Sequence, residues 1–490
     1  MANSLNFSTF VENNHIFAMV KKFNIISQMG ALIEDLLSVA PAKVQKKSKS
    51  FIIETLILYC VMQKINFTQL GQYGNRCEKT YRVNFKKIDF EAASVNLEMA
   101  KRYFEDSTGV KAIAIDPSYI SKSGKHTPGL GYFWSGVNKS PKWGLELLGI
   151  GIIDSERKEC IMLEGVPTPN AAAIASEDVN KAPIKPKLLV GSRAISDFED
   201  IKGDLSQETV SAQKRQYVRK GEKEKFAKAV GTPAEEEKFN TITWYLHAIR
   251  QLPKAVLDYT NILVADAFFS KRNFVDGLQE LGLHLVSRFR DDAVLLYIYK
   301  GEQTGKKGRP RKYAGKVDYD NLDMKAFWKM DYDLDGGTCY AGYVYSKALK
   351  RNVKVVIWYS ADRKRRKIFF TTDYTLSYTN IIKVYRARFQ EEFCFRDCKD
   401  YLSLCKCQAR DTRKLEFNYN MSFTALNCMK YVAKQNGVDF SISNMKTLMH
   451  GEFLMNRFIC VSGICPDSDL IDKLRAEVCS LTTMKWQKTA

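Results

Sequence analysis

Two short apolar runs, KAIAID (111–116) and NILVAD (261–266), each stop on an aspartate. Each is the length of one buried strand, and what lies between and after them fixes the fold class. GLELLGIGIID (144–154) and CIMLEGV (160–166) read as two more strands. TITWYLHAIRQLPKAVLDY (241–259) reads as a helix with a proline break, and SKRNFVDGLQELG (270–282) as a helix. Ser270 is placed to cap that second helix, and Gly282 falls just past its end. LHLVSRF (283–289) is a further strand. Three strands, then helix, strand, helix, strand, predict an α/β sheet of mixed direction. Pro117 is expected to stop pairing of the first strand. Side chains at the ends of adjacent buried strands converge. Asp116 and Asp266 are therefore candidates for one carboxylate site, the plainer alternative being two turn caps.

The chain has 490 residues, too many for one ordinary core. Hydrophobic residues make up 45%, which excludes a disordered chain. A formal charge of +20 predicts a polyanionic partner, nucleic acid first. The N-terminus lacks the charged start and apolar stretch of a secretory signal. FIIETLILYCVM (51–62), the most apolar run, is too short to span a membrane. Neither GxGxxG nor GxxxxGK[ST] follows a strand, which argues against a nucleotide-cofactor enzyme. The cysteines are expected to be reduced thiols. Cys394, Cys398, Cys405 and Cys407 cluster, but not at a usual zinc spacing.

Residues 1–107 are expected to form a helical DNA-binding domain. In INFTQLGQYGNRCEKTYRVNF (65–85), a short helix capped by Thr68 ends near Gly74, and a second starts at about Asn75. Short helix, glycine turn and helix resemble a helix-turn-helix. Arg76, Lys79 and Arg82 would share a face toward phosphates, and Cys77, Tyr81 and Phe85 an opposing apolar face. An ordinary helical hairpin with a solvated basic face is the alternative. A polar, charged stretch runs over 170–238. Residues 293–375 read as a β-rich insertion, with strands TCYAGYVYS (338–346), NVKVVIWYS (352–360) and KIFFTT (367–372). TGKKGRPRKYAGK (304–316) is a basic loop that could enter a minor groove or lie solvated. Residues 413–490 are expected to be helical.

YRARFQEEFCFRDCK (385–399) lies in a helical pattern over 378–402. At 100° per residue from Tyr385, Arg388 falls near 300°, Glu392 near 340° and Lys399 near 320°. Glu391 falls near 240°, so the geometry selects Glu392 from the adjacent pair. The row is about 21 Å long, too long for a small-molecule pocket and suited to a nucleic-acid backbone. A helix with a salt-bridged outer face is the alternative.

The spacing Tyr385-x2-Arg388-x3-Glu392-x6-Lys399 resembles the Y-R-E-K signature of bacterial insertion-sequence DDE transposases of the insertion-sequence-four type. Asp116 in AIAIDPSYISKSG and Asp266 in LVADAFFSKRNF stand where that family has its other two acids, and CQARD (407–411) is also similar. The resemblance covers roughly residues 50–430. It implies a ribonuclease H-like catalytic domain over 108–292 and 376–412, split by the β-rich insertion. It implies cleavage of transposon ends with two Mg²⁺ or Mn²⁺ ions held by Asp116, Asp266 and Glu392, then joining of the 3′-hydroxyl to target DNA. Tyr385, Arg388 and Lys399 would hold DNA, and Trp358 is a candidate platform for a flipped base, the alternative being a core residue of its strand. The expected partner is double-stranded DNA, bound by a homodimer in the bacterial cytoplasm. A catalytically retired transposase acting as a DNA-binding protein is the alternative.

Overall fold

The computed structural model describes residues 25–39, 46–170, 240–303, 310–462 and 467–483. Most of the charged stretch 170–238 and the first part of the basic loop lie outside these. Five helices come first: α1 (Ile25–Val39), α2 (Lys46–Val61), α3 (Phe67–Tyr73), α4 (Glu78–Lys87) and α5 (Ala92–Tyr103). Then follow β1 (Lys111–Ser121), β2 (Gly131–Ser135), β3 (Ser140–Asp154) and β4 (Glu159–Thr168). After α6 (Thr241–Arg250) and α7 (Lys254–Tyr259) come β5 (Ile262–Val264), α8 (Arg272–Glu280) and β6 (His284–Phe289). The β-rich region supplies β7 (Leu295–Ile298), β8 (Tyr313–Lys316), β9 (Phe327–Lys329), β10 (Thr338–Ser346), β11 (Arg351–Tyr359) and β12 (Arg366–Thr371). The chain closes with α9 (Tyr378–Ala387), α10 (Phe389–Tyr401), α11 (Thr412–Gln435), α12 (Ile442–Ser462) and α13 (Ser468–Thr483).

Residues Met1–Asn170 with Lys254–Ala490 form one compact unit, and Ala171–Pro253, which includes α6, another. In the first unit the strands make one mixed sheet in the order β2-β3-β1-β5-β6-β12-β11-β10-β7-β8, with β4 on β3 and β9 on β10. β1, β5 and β6 run parallel, and the other pairs antiparallel. The β-rich region is therefore no separate sheet. β12 pairs with β6 and continues the ladder that carries β1 and β5.

Pro117 does not end β1. Pairing with β3 runs on through Pro117↔Leu148 to Ser121↔Gly144. β5 meets β1 at Ile113 and Ala114, so past that point one edge of β1 is open and tolerates a proline. Ser270 does not cap α8, whose N-cap is Lys271; the Ser270 hydroxyl instead donates to Arg288 O at 3.0 Å. Gly282 does lie just past α8, at φ +73°.

The N-terminal and C-terminal helices pack together. α11 touches α1, α2, α4, α5 and β4, and it is buried along most of its length. Phe85 and Phe417 pack with tilted rings, centroids 4.6 Å apart, and the Tyr59 hydroxyl donates to Asn418 Oδ1 at 2.7 Å. The first helices thus share a core with the rest of the unit rather than standing apart.

Among the described residues β4 pairs on one side only, with β3, and α11 covers it with asparagines. Asn427 accepts from Met162 N at 3.1 Å and donates to Met162 O at 2.7 Å. Asn420 accepts from Gly165 N at 2.8 Å, and Asn96 of α5 donates to Leu163 O at 2.8 Å. Buried backbone groups need such partners, and here side chains supply what a neighbouring strand would.

Candidate active site

β1 and β5 bring the two aspartates side by side. Their last registered pair is Ala114↔Val264, and Asp116 and Asp266 each lie two residues further on. Asp266 also caps the 3₁₀ turn Ala267–Phe269, its Oδ1 accepting from Phe268 N at 2.9 Å. Capping and convergence hold together at this residue.

The Glu-bearing segment folds as two helices joined at Arg388, which keeps helical dihedrals (φ −51°, ψ −36°). The segment crosses the sheet: α9 packs on β6, β11 and β12, and α10 on β1, β3 and β4. The stripe read from the sequence meets the end of β1. Arg388 Nη1 donates to Asp116 Oδ1 at 3.2 Å, and Nη2 to Glu392 Oε1 at 2.9 Å. Lys399 Nζ donates to Ser118 Oγ at 2.7 Å and to Tyr119 O at 2.9 Å. Tyr385 packs on Phe369 of β12, ring centroids 5.2 Å apart.

Burial raises the Asp116 carboxyl to about 7; Glu392 and Asp266 add to the rise, and Arg388 and Lys399 oppose it. For Arg388, burial acts to lower the guanidinium, but Asp116, Tyr385 and the two glutamates together hold it up. Burial lowers the Lys399 ammonium and raises the Tyr385 phenol.

Glu391 points the other way. It is fully buried, burial holds its carboxyl well above the usual range, and neither oxygen has a hydrogen-bond partner among the described residues. It lies over Gly149, the residue opposite Asp116 on β3. A Cβ at Gly149 would stand 2.5 Å from the Phe395 ring and 2.8 Å from Glu391 Oε1. The glycine lets α10 lie close enough to present Glu392. Nothing in the sequence singled out Gly149, though its LLGIGIID context (147–154) is a strand in which glycines cost stability and mark a close approach.

Other expected residues lie elsewhere. The cap of α3 is Asn66, whose side chain accepts from Gln69 N at 2.9 Å, and not Thr68. α4 begins at Glu78, so Arg76 precedes it and Cys77 sits exposed at its N-cap; Tyr81 and Phe85 are its buried face. Arg76 pairs with Glu54 and donates to Ser50 Oγ at 3.1 Å. Arg82 donates to Glu78 Oε1 at 2.7 Å and lies 4.8 Å over the Phe67 ring. Lys79 is exposed. Trp358 is only 4% exposed and donates from Nε1 to Leu334 O at 2.7 Å, so in this conformation its ring serves the core and not a base. The exposed tryptophan of the β-rich region is Trp328. Cys394 and Cys398 are buried on α10, while the Cys405 and Cys407 carbonyls accept from Lys122 Nζ.

Among the described residues no three His, Cys, Asp or Glu side chains stand close enough to hold a metal ion. Arg388 occupies the gap between Asp116 and Glu392 as their counter-cation. The donors are nonetheless hard carboxylate oxygens, and Glu392 and Asp266 add to the rise of the Asp116 carboxyl, a crowding that a divalent cation relieves. No helix among the described residues is long and apolar enough to cross a membrane.

Clustered strand-end acids on a mixed sheet, in a chain this basic, define a class: enzymes that act on a polynucleotide backbone. Residues 83–334 match the family model described as DDE superfamily endonuclease, which is more than half of the chain, and the chain belongs to that family. The family acts on DNA and generally uses divalent metals. The matched segment contains Asp116 and Asp266 and ends before Glu392. No curated protein matches the chain.

Proposed function

We propose that the protein is a DNA transposase of the insertion-sequence-four type, with Asp116, Asp266 and Glu392 as its acids. One observation carries the reading: Arg388 bridges Asp116 and Glu392, so the strand-end acid and the helix acid share one site. Divalent ions held by the three carboxylates would supply an activated water and neutralise charge on the reacting phosphate. Arg388, released from its carboxylates, grips phosphate through its fork, and Lys399 holds a neighbouring phosphate as a point charge. Tyr385, beside them, positions the strand. In this reading 1–107 recognise ends, 108–292 with 376–412 cleave, 293–375 are inserted, and two copies act together on paired ends. The test is cleavage of labelled DNA carrying the gene's own flanking ends, with Mg²⁺ or Mn²⁺, beside Glu392→Gln. Metal-dependent nicking at the end boundary, lost in the variant, is expected. End binding without cleavage under any divalent metal sinks the reading in favour of a retired, DNA-binding transposase.

A further inference from the structure

The hairpin of β2 and β3 carries aromatic rings on a face that the catalytic reading does not use. Alternate residues of β2 are exposed: Tyr132 is 73% exposed and Trp134 61%, while Phe133 and Ser135 are buried. Across the ladder Tyr132 pairs with Trp143 and Trp134 with Pro141, which places all four on one face. Trp143 is 42% exposed and meets Tyr132 edge to face at 5.3 Å. Rings this large are ordinarily buried, and a shared open face of them marks a contact surface.

The surroundings select the occupant. Residues 117–145 contain four lysines and no aspartate or glutamate, and Lys125, Lys139 and Lys142 are exposed. A surface of open rings among exposed lysines complements a strand of nucleic acid, whose bases stack while its phosphates meet lysines. The hairpin is also continuous with the candidate active site. Gly149, the partner of Asp116, lies six positions along β3 from Trp143, or about 20 Å. Tyr119, whose carbonyl accepts from Lys399, donates its hydroxyl to Trp143 O at 2.6 Å. Gly144 leaves room for this, since a Cβ there would stand 2.6 Å from the Tyr119 ring.

We propose that the aromatic face of the β2–β3 hairpin binds unpaired bases of a DNA strand close to the strand held at Asp116. This rests on the nuclease reading for its biological setting, but the binding itself needs no cleavage. The test uses the full-length chain in chelator, so that no DNA is cut. Fluorescence anisotropy compares a blunt duplex with the same duplex carrying a single-stranded overhang. Parent protein should prefer the overhang substrate. The double variant Trp134→Ala/Trp143→Ala, altered at exposed positions, should lose about tenfold or more on the overhang substrate and less than about twofold on the blunt one. Equal affinity of parent and variant for the overhang substrate overturns the proposal. So does a parent dimer that becomes monomeric in the variant with DNA binding unchanged, which would give the face to a second copy of the chain. The two readings fail separately. Overhang preference that depends on the tryptophans, in a protein that never cleaves, keeps the hairpin and removes the transposase. Metal-dependent cleavage with no such preference does the reverse.

Discussion

Two rows of cations were legible at helical spacing, and they differ in what they hold. Arg388 and Lys399 reach across the fold to Asp116, Ser118 and Tyr119 of β1. Arg76 and Arg82 hold near neighbours, Glu54 and Ser50 for the first and Glu78 for the second. The first row ties a helix to a strand end hundreds of residues away and gathers acids there. The second row ties its own segment to the preceding helices, with Arg82 lying on Phe67 of α3 and Arg76 on Phe51 of α2. Spacing alone makes a stripe; long-range partners separate a candidate site from a salt-bridged face.

The largest contrast should come from the acids. Glu392→Gln is expected to lower metal-dependent cleavage by about a thousandfold with little change in end affinity. A variant that cleaves at even a tenth of the parental rate removes Glu392 from the chemistry and reduces the first row to a structural one.

Gly149→Ala tests whether the first row depends on how closely α10 lies on β3. The added carbon meets the Phe395 ring, a crowding that should cost roughly 1–3 kcal/mol of stability. Thermal melting would read that loss, and cleavage should fall with it as Glu392 is displaced. Unaltered melting and cleavage would mean that α10 has slack.

Protons give a smaller and more specific handle. Asp116 titrates at about 7 in the folded chain and near 3.9 when unfolded. The folded state therefore binds a proton that the unfolded state has lost over that interval, and stability from this group falls as pH rises from about 4 to about 7. In chelator, Asp116→Asn should flatten that decline in melting temperature. Parallel pH curves for parent and variant would contradict the raised Asp116 carboxyl, which burial chiefly causes and the neighbouring acids reinforce.

The finest test sets one lysine of each row against the other. Lys399→Ala should lower the salt-dependence slope of DNA binding by about one unit, as expected for a lost phosphate contact. Lys79→Ala should do the same only if the second row meets DNA. A change at Lys79 with none at Lys399 would reverse the assignment of the rows.

Much of the site could be seen in the residues themselves. Strand-end aspartates announce themselves because apolar runs are short and stop abruptly, as at Asp116 and Asp266. The choice of Glu392 over Glu391 followed from one turn of helix geometry, and the two side chains do lie on different sides, one at Arg388 and one buried. What escaped depended on other parts of the chain. Pro117 looked like a strand end because the early end of β5, which leaves one edge of β1 open, is not written near it. The β-rich region looked separate because nothing in 293–375 tells that β12 will pair with β6. Trp358 looked like a platform because a tryptophan in a strand does not disclose which carbonyl its indole will meet.

The asparagine-covered edge of β4 has a bearing on how the chain is made. Asn420 and Asn427 follow Met162 by more than two hundred and fifty residues. A ribosome therefore releases β4 when only Asn96 of α5 is present to cover it, long before α11 exists. Until α11 emerges, a nascent chain presents an apolar strand with an open edge, the feature most prone to pairing with a second copy. Completion of synthesis, rather than folding of the sheet alone, closes that hazard. A message cut short before residue 412 would leave it open for good.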